Sequence, residues 1–322
     1  MEFKGYTYGY LAKKGVFRSA EGEKSQDLLF ETGINWMCLA FAAVQDTVFS
    51  TEIKYDYRTQ PTDADIIHAV KRAHDRGVKV CMKPMVNCGD GMWRAYIAFP
   101  DETMWGEDIY WKRWFESYSA YMLHYAEIAE ETDCEMLCIG CEMTGTERKE
   151  DYWRRLIADI RKVYGGKLTY NTNHGKELTV SWFDAVDYVG TSAYYPVAKK
   201  GGASYEDMCR AWEYIAGGLE KVYEKWHKPL IFMEIGCRSA EGCAAMPWDF
   251  THNEYPYSED EQANFFASAI DVMSKRDWFG GMFWWDWSSR IYDDRETASK
   301  DMGFNIHLKK AEEIIKDRYG RL

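Results

Sequence analysis

No stretch of the chain approaches the roughly 18 uninterrupted apolar residues that a membrane-spanning helix needs. The opening residues, Met1-Glu2-Phe3-Lys4-Gly5, carry no basic segment followed by an apolar one. A cytoplasmic chain is therefore expected, with neither a secretion signal nor a membrane span. Proline is scarce, with seven residues in 322, and no Pro/Ser/Gly-rich linker divides the sequence. One domain over residues 1–322 follows as the expectation. Positive charge is also in deficit: 40 Lys and Arg against 52 Asp and Glu leave a net charge of -12, with no basic patch to offset it. A surface of that sign repels phosphate backbones and anionic lipids, so neither nucleic acid nor a membrane is an expected partner. No Gly-x-Gly-x-x-Gly follows the first apolar run, no P-loop is present, and the seven His include no His-Glu-x-x-His. Dinucleotide, nucleotide and zinc chemistry are argued against, and no cofactor or metal is expected.

Apolar residues make up 46% of the chain, ample for a sizeable core. Fourteen Trp and 23 Tyr supply a large aromatic core, and they also lean toward carbohydrate, because one face of a pyranose is apolar and stacks on rings. Most of the nine cysteines sit in apolar runs, as Cys38, Cys81, Cys138 and Cys209 do, and read as reduced, buried thiols. Cys134, Cys138 and Cys141 have the spacing of an iron-sulfur loop, but two of them lie inside an apolar strand pattern, where thiolates do not converge on a cluster.

Short β-prone runs alternate with helical patterns from end to end. Strands are expected at Tyr6 to Leu11, Trp36 to Phe41, Val78 to Pro84, Met136 to Cys141, Leu168 to Asn171, Tyr188 to Ser192, Leu230 to Met233 and Gly281 to Trp285. Helices are expected near Ser25 to Thr32, Glu107 to Glu130, Tyr205 to Trp226, Asp260 to Arg276 and Leu308 to Tyr319, with a short one around Trp182. Two more show clear periodicity. One opens at Thr62 with Asp65 three residues on and stops at Gly77; the other carries Trp153, Leu156, Ile157, Ile160 and Val163 on one face. Eight continuously apolar strands separated by helices predict a closed (β/α)8 TIM barrel.

Catalytic groups in such a barrel sit where strands end at the C-terminal face. Two carboxylates meet that condition: the run 136–141 leads straight into Glu142, and the run 230–233 into Glu234. Retaining glycosidic cleavage requires such a pair, one to protonate the leaving oxygen and one to attack the anomeric carbon. Further candidate substrate contacts at strand ends are Lys83 and Asn87 after strand three, Trp93 and Arg94 in the following loop, and Asn171 and Asn173 at strand five. Tyr194 or Tyr195 follows strand six, and Trp284, Trp285, Asp286 and Trp287 end strand eight. Alternation forbids all three tryptophans from facing the mouth, and Trp285 is chosen. Asp286, a third carboxylate near the mouth, is a candidate to orient a substrate hydroxyl, but a helix cap or a salt bridge is the expectation.

The segments Ile139-Gly140-Cys141-Glu142-Met143, Tyr188 to Pro196, Phe232 to Ser239 and Gly281 to Trp287 resemble the strand-four, six, seven and eight signatures of glycoside hydrolase family 113, the β-1,4-mannanases of the large retaining barrel clan. The resemblance runs over nearly the whole chain. It implies Glu142 as acid/base, Glu234 as nucleophile, Trp93 and Arg94 as sugar contacts, and Tyr194 or Tyr195, of which Tyr194 is chosen, as the hydroxyl that keeps the nucleophile ionised. One position departs: Cys141 stands where most of the clan has Asn, so Asn171 or Asn173 is expected to take over that contact with the sugar 2-hydroxyl. The expected partner is a short β-1,4-linked manno-oligosaccharide. Alternatives are a related barrel acting on glucosides, galactosides or xylosides, and a catalytically silent sugar-binding barrel.

Overall fold

The computed structural model describes residues 1–322 except Thr59. Eight strands, β1 Phe3–Tyr8, β2 Trp36–Gln45, β3 Lys79–Cys88, β4 Met136–Cys141, β5 Lys167–Asn173, β6 Tyr188–Ser192, β7 Leu230–Ile235 and β8 Phe279–Trp287, close into one barrel in chain order. Every neighbouring pair is parallel, and β8 returns to β1. The helices are α1 Ala20–Phe30, α2 Asp63–Asp75, α3 Ile109–Glu131, α4 Thr144–Glu147, α5 Glu150–Val163, α6 Tyr205–Trp226, α7 Glu259–Met273, α8 Arg295–Ala298 and α9 Lys310–Arg321. Among the described residues no helix is long and apolar enough to cross a membrane.

Local grammar explains most boundaries. Thr62 and Asp65 form a reciprocal capping box at the start of α2. Gly77, at φ 71°, ends the helix because it tolerates a left-handed turn. The first strand lies three residues earlier than its apolar pattern predicts. Lys4 interrupts that pattern, yet its Nζ reaches the Tyr319 carbonyl at 3.0 Å, and Gly9, at φ 81° and hard against the Phe17 ring, turns the chain. α1 likewise starts early, capped by the Ser19 side chain, which accepts from the Gly22 amide.

The barrel interior is filled in layers, as closed barrels of this size require. Toward the N-terminal end Phe3 packs on Trp36, Tyr188 and Phe283 at centroid distances of 4.8, 5.1 and 5.9 Å. Cys38, Cys81, Cys138, Met136, Ile231 and Met233 continue this cluster, and a separate one of Ala40, Ala42, Met85 and Cys141 lies beneath Tyr10 and Trp285. Gly281 allows the barrel to close: a Cβ there would meet the Phe3 carbonyl oxygen at 2.1 Å.

The outer shell takes most of the large aromatics. Trp153 stacks on Trp182 at 4.8 Å, and the Tyr118 and Tyr121 hydroxyls of α3 donate to the Ile139 and Met85 carbonyls at 2.8 and 2.9 Å. Much of the tryptophan content is thus structural. Cys209, expected to be buried, is only half-buried on α6. Trp284 stacks on Phe266 at 3.8 Å and donates to the Tyr319 hydroxyl at 2.8 Å, which ties β8 to α7 and α9. We predict that Trp284→Ala lowers stability by about 3–5 kcal/mol, the range for deleting a buried aromatic ring. Urea unfolding measures it, and a loss below about 1 kcal/mol would contradict this packing account.

Candidate active site

Strict alternation along β4 and β7 would not deliver both acidic residues to the barrel mouth. In β4, Met136 and Cys138 face inward, so a regular strand would turn Cys141 outward. The register with β5 instead shifts between Cys138 and Cys141. Gly140 lies against Tyr170 and Trp153 of the outer shell, and Cys141 re-enters the interior. In β7, Ile231 and Met233 face inward, and the register shifts again before Ile235, so that Glu234 also reaches the interior. A bulge of this kind re-aims one side chain at the expense of ladder regularity. Glu142 follows β4 with φ 55°, a left-handed conformation that costs a non-glycine residue roughly 1–2 kcal/mol. Its amide donates to the Asn171 carbonyl at 2.7 Å, which fixes the turn.

Glu234 is almost completely buried and has four donors. Lys83 Nζ at 2.5 Å, Cys141 Sγ at 3.2 Å and Asn171 Nδ2 at 3.2 Å reach Oε1, and the Tyr194 hydroxyl reaches Oε2 at 3.1 Å. Burial pushes the Glu234 pKa up, but the charge and hydrogen bond of Lys83, with help from Arg94 and Cys141, hold it below the ordinary carboxylate value. Burial and the neighbouring Glu234 charge raise the Cys141 pKa well above normal, so its thiol keeps its proton and donates it. Tyr194 behaves likewise.

Glu142 occupies a different environment. Its Oε2 accepts from the Trp93 indole at 3.1 Å and from Arg94 Nη1 at 3.2 Å. Burial first, and then the Glu234 charge, raise its pKa despite Arg94. Two neighbouring carboxyls are thus driven apart, one held ionised and the other toward its protonated form. Cys141 and Arg94 link them, Nη1 lying 3.8 Å from Sγ.

The remaining residues picked from the sequence fall into place around this pair, some in roles other than those expected. Lys83 is expected to touch sugar, but it has no exposed surface and instead serves as the counter-ion of Glu234. Arg94 is likewise occupied internally: beyond Glu142 it donates to the Val86 carbonyl, the Tyr10 hydroxyl and Asn87 Oδ1 at 3.0, 3.1 and 2.7 Å. Asn87 therefore uses its oxygen in the site wall. Asn171 reaches Glu234, whereas Asn173 turns away and donates to Thr144 Oγ1 at 2.7 Å. Tyr195, unlike Tyr194, points to Glu177. Trp284 and the buried Trp287 face the outer shell. Trp285 faces the mouth, with its ring 5.6 Å from Lys83 Nζ and 4.8 Å from Tyr10. Trp93 keeps 46% of its surface exposed.

Asp286 neither caps a helix nor forms a salt bridge among the described residues. Burial, and then the Glu234 charge, push its pKa up to about 7. It lines a cavity of about 480 Å³ beside Tyr10, Lys13, Ser288 and Arg290. Tyr10 and Ser192 were not singled out from the sequence. Tyr10 lies beyond the β1 turn, and Ser192, which donates to Asn171 Oδ1 at 3.2 Å, ends β6 as an unremarkable strand residue. Only the strand-end position of Ser192 carried any signal.

A closed (β/α)8 barrel with two inward carboxyls of opposite pKa shift at the C-terminal ends of β4 and β7 is the architecture of a barrel glycoside hydrolase. The sequence profile of Glycoside Hydrolase Family 113 matches residues 6–309, and the chain belongs to that family. A solved complex of a GH113 β-1,4-mannanase is 37% identical, with each chain covered in full and a TM-score of 0.91. A second GH113 β-1,4-mannanase structure is 36% identical over 100% of this chain and 99% of the other, with a TM-score of 0.90. The GH113 β-mannanase AaManA from Alicyclobacillus acidocaldarius, solved in complex with ManMIm, is 39% identical over 99% and 97% of the two chains, also with a TM-score of 0.90. No curated protein sequence matches the chain.

The raised Asp286 pKa gives a prediction with a definite sign. The folded state holds a proton that the unfolded chain releases near the ordinary Asp value of about 4. Asp286 therefore takes stability away as pH rises from about 4 through its folded pKa of about 7. Asp286→Asn should abolish that component, so the variant gains stability over wild type at pH 8 relative to pH 4. Urea unfolding across that range checks it, and parallel wild-type and variant curves would refute the assignment.

Proposed function

We propose that this chain hydrolyses β-1,4-mannosidic bonds in short manno-oligosaccharides with retention of configuration, with Glu234 as nucleophile and Glu142 as acid/base, in a single catalytic domain over residues 1–322. The observation that carries the roles is the opposite direction of the two pKa shifts: Glu234 is held ionised by Lys83, and Glu142 is pushed toward its acid form. Glu234 attacks the anomeric carbon while Glu142 gives its proton to the departing glycosidic oxygen. Esterification removes the Glu234 charge that had helped raise the Glu142 pKa, so Glu142, now ionised, acts as base for water; the water gives its proton to Glu142 as it displaces Glu234 from the anomeric carbon. Cys141, Asn171 and Tyr194 spread the nucleophile's charge over both oxygens and fix its orientation. The sugar comes from family membership and from the named relatives, since fold alone does not set it. Nine free cysteines, eight of them buried, fit a reducing compartment, and we assign the enzyme to the cytoplasm, where it meets imported fragments rather than polymer.

Glu234→Gln should lower turnover of every substrate, mannotriose included, by several orders of magnitude. Glu142→Gln should lose as much on mannotriose but retain far more activity on a dinitrophenyl β-mannoside, whose leaving group needs no proton. Equal losses on both substrates would remove Glu142 from the acid role, and activity on galactomannan alone would overturn the preference for fragments. Lys83→Met should raise the Glu234 pKa, so the acidic limb of the pH profile of kcat/KM moves to higher pH. An unmoved limb would show that Lys83 does not keep the nucleophile ionised.

A further inference from the structure

Three cations gather at the rim of the barrel, across from the acid/base. Lys13 and Lys14 come from the segment after β1 and Arg290 from the segment after β8, so only closure of the barrel brings them together. They line the same cavity of about 480 Å³ as Asp286, a volume within the range of about 300–1,000 Å³ for small-molecule sites. The ammonium groups of Lys13 and Lys14 have no ion-pair or hydrogen-bond partner among the described residues. Arg290 has only a loose approach of its Nε to Glu21 Oε2, at 3.7 Å. Like charges left unbalanced in this way repel one another, and an anion between them relieves that repulsion.

The cavity has two chemically different ends. Its inner end adjoins the catalytic pair: Tyr10 packs on Trp285 at 4.8 Å and donates to Asn87 Oδ1 at 3.2 Å, and the Glu234 charge reaches Asp286. Burial and that charge push Asp286 toward its neutral form, and none of the three cations opposes them, which puts the cations at the outer end. Ser288 and Ser289 lead along the wall from Asp286 to the exposed Arg290. The inner end therefore suits a neutral sugar hydroxyl, and the outer end a negative group. β8 lies directly across the closed ring from β4, whose Glu142 stands on the leaving-group side of the scissile bond. The cavity accordingly receives the part of the substrate that stays on the nucleophile.

We propose that Lys13, Lys14 and Arg290 bind an anionic group, a phosphate ester or a carboxylate, on the sugar beyond the reacting mannose, so that the preferred substrates are manno-oligosaccharides charged at the non-reducing end. This site rests on the retaining mannosidase reading, and the bond cleaved and the two carboxyls that cleave it stay the same. Arg290 presents a planar fork and the lysines two point charges, a set that matches the oxygens of either anion. The remaining surface, in a chain of net charge -12, opposes an anion, so its binding depends on these local cations.

The test compares nitrophenyl β-1,4-mannobiosides on the whole enzyme: the neutral compound, one phosphorylated at the 6-hydroxyl of the terminal mannose and one oxidised there to a carboxylate. Release of nitrophenolate reports the register in which both sugars lie on the nucleophile side. At least one charged substrate should exceed the neutral one in kcat/KM by about tenfold or more, the scale of one charge-assisted contact, and the better of the two identifies the anion. In Arg290→Ala and in the double variant Lys13→Ala with Lys14→Ala, that advantage should shrink to about twofold or less, while the neutral substrate keeps its wild-type rate within about twofold. Arg290→Lys, which keeps the charge, should retain part of it. Raising salt from about 0.05 to about 0.5 M should erode the wild-type advantage, because exposed charges are screened. No advantage of either charged substrate in the wild type would overturn the site, and so would an advantage that survives in both charge-removing variants. Neutral and charged turnover falling in equal proportion would mark a purely structural role and overturn it too. Absence of nitrophenolate release from all three compounds in the wild type would instead overturn the mannosidase reading, and this site with it.

Discussion

The contact between Lys83 and Glu234 organises the barrel mouth, because two charges have been taken out of water at the top of an otherwise apolar interior. Isolating either one costs several kcal/mol, and removing one partner of such a pair typically costs about 3–5 kcal/mol. The surrounding residues answer that cost. β4 contributes a thiol, β5 an amide and the segment after β6 a phenol, all donors aimed at the same carboxylate. A carboxyl stabilised this strongly as an anion stays ionised and is a poor base. Its charge acts in turn on its neighbours, raising the pKa of Glu142 and of Asp286. Burial and this one ion pair together set the protonation pattern of the site.

Holding that pattern requires backbone irregularity at fixed points. Both acidic residues are delivered by register shifts in β4 and β7, and Glu142 adds a left-handed backbone conformation. Such distortions persist where the surroundings over-determine them. Here the aromatic shell does so: Tyr170 and Trp153 press on Gly140, while Tyr118 holds the Ile139 carbonyl from outside. The large aromatic content is thus mainly a brace for the barrel wall, while Trp93 and Trp285 lie at the mouth.

Much of the candidate site was legible because a strand-end position is a one-dimensional property. Glu142, Glu234, Tyr194 and Trp285 each follow or end an apolar run; alternation separates Trp284 from Trp285, but Trp285 and Trp287 share a face in a regular strand, and only the structure turns Trp287 into the outer shell. What was not legible were roles set by partners far along the chain. Lys83 and Arg94 look like sugar-binding cations in sequence, yet burial turns one into a counter-ion and the other into a brace for Glu142. Cys141 is only a departure from the clan's Asn until its sulfur is found against Glu234. Asp286 reads as a cap or a salt-bridge partner, yet among the described residues it forms neither and lines the cavity beside Tyr10.

By itself the sequence determined the number of strands, their parallel succession, the closed barrel and the two acidic positions, since these follow from periodicity, length and the placement of charge after apolar runs. Only the tertiary structure decided which carboxyl is ionised, which asparagine reaches it and where β1 begins. Those outcomes depend on distances between residues many positions apart, and on bulges that reset alternation. No local pattern encodes them, because the free energy of a buried charge is fixed by what surrounds it in space.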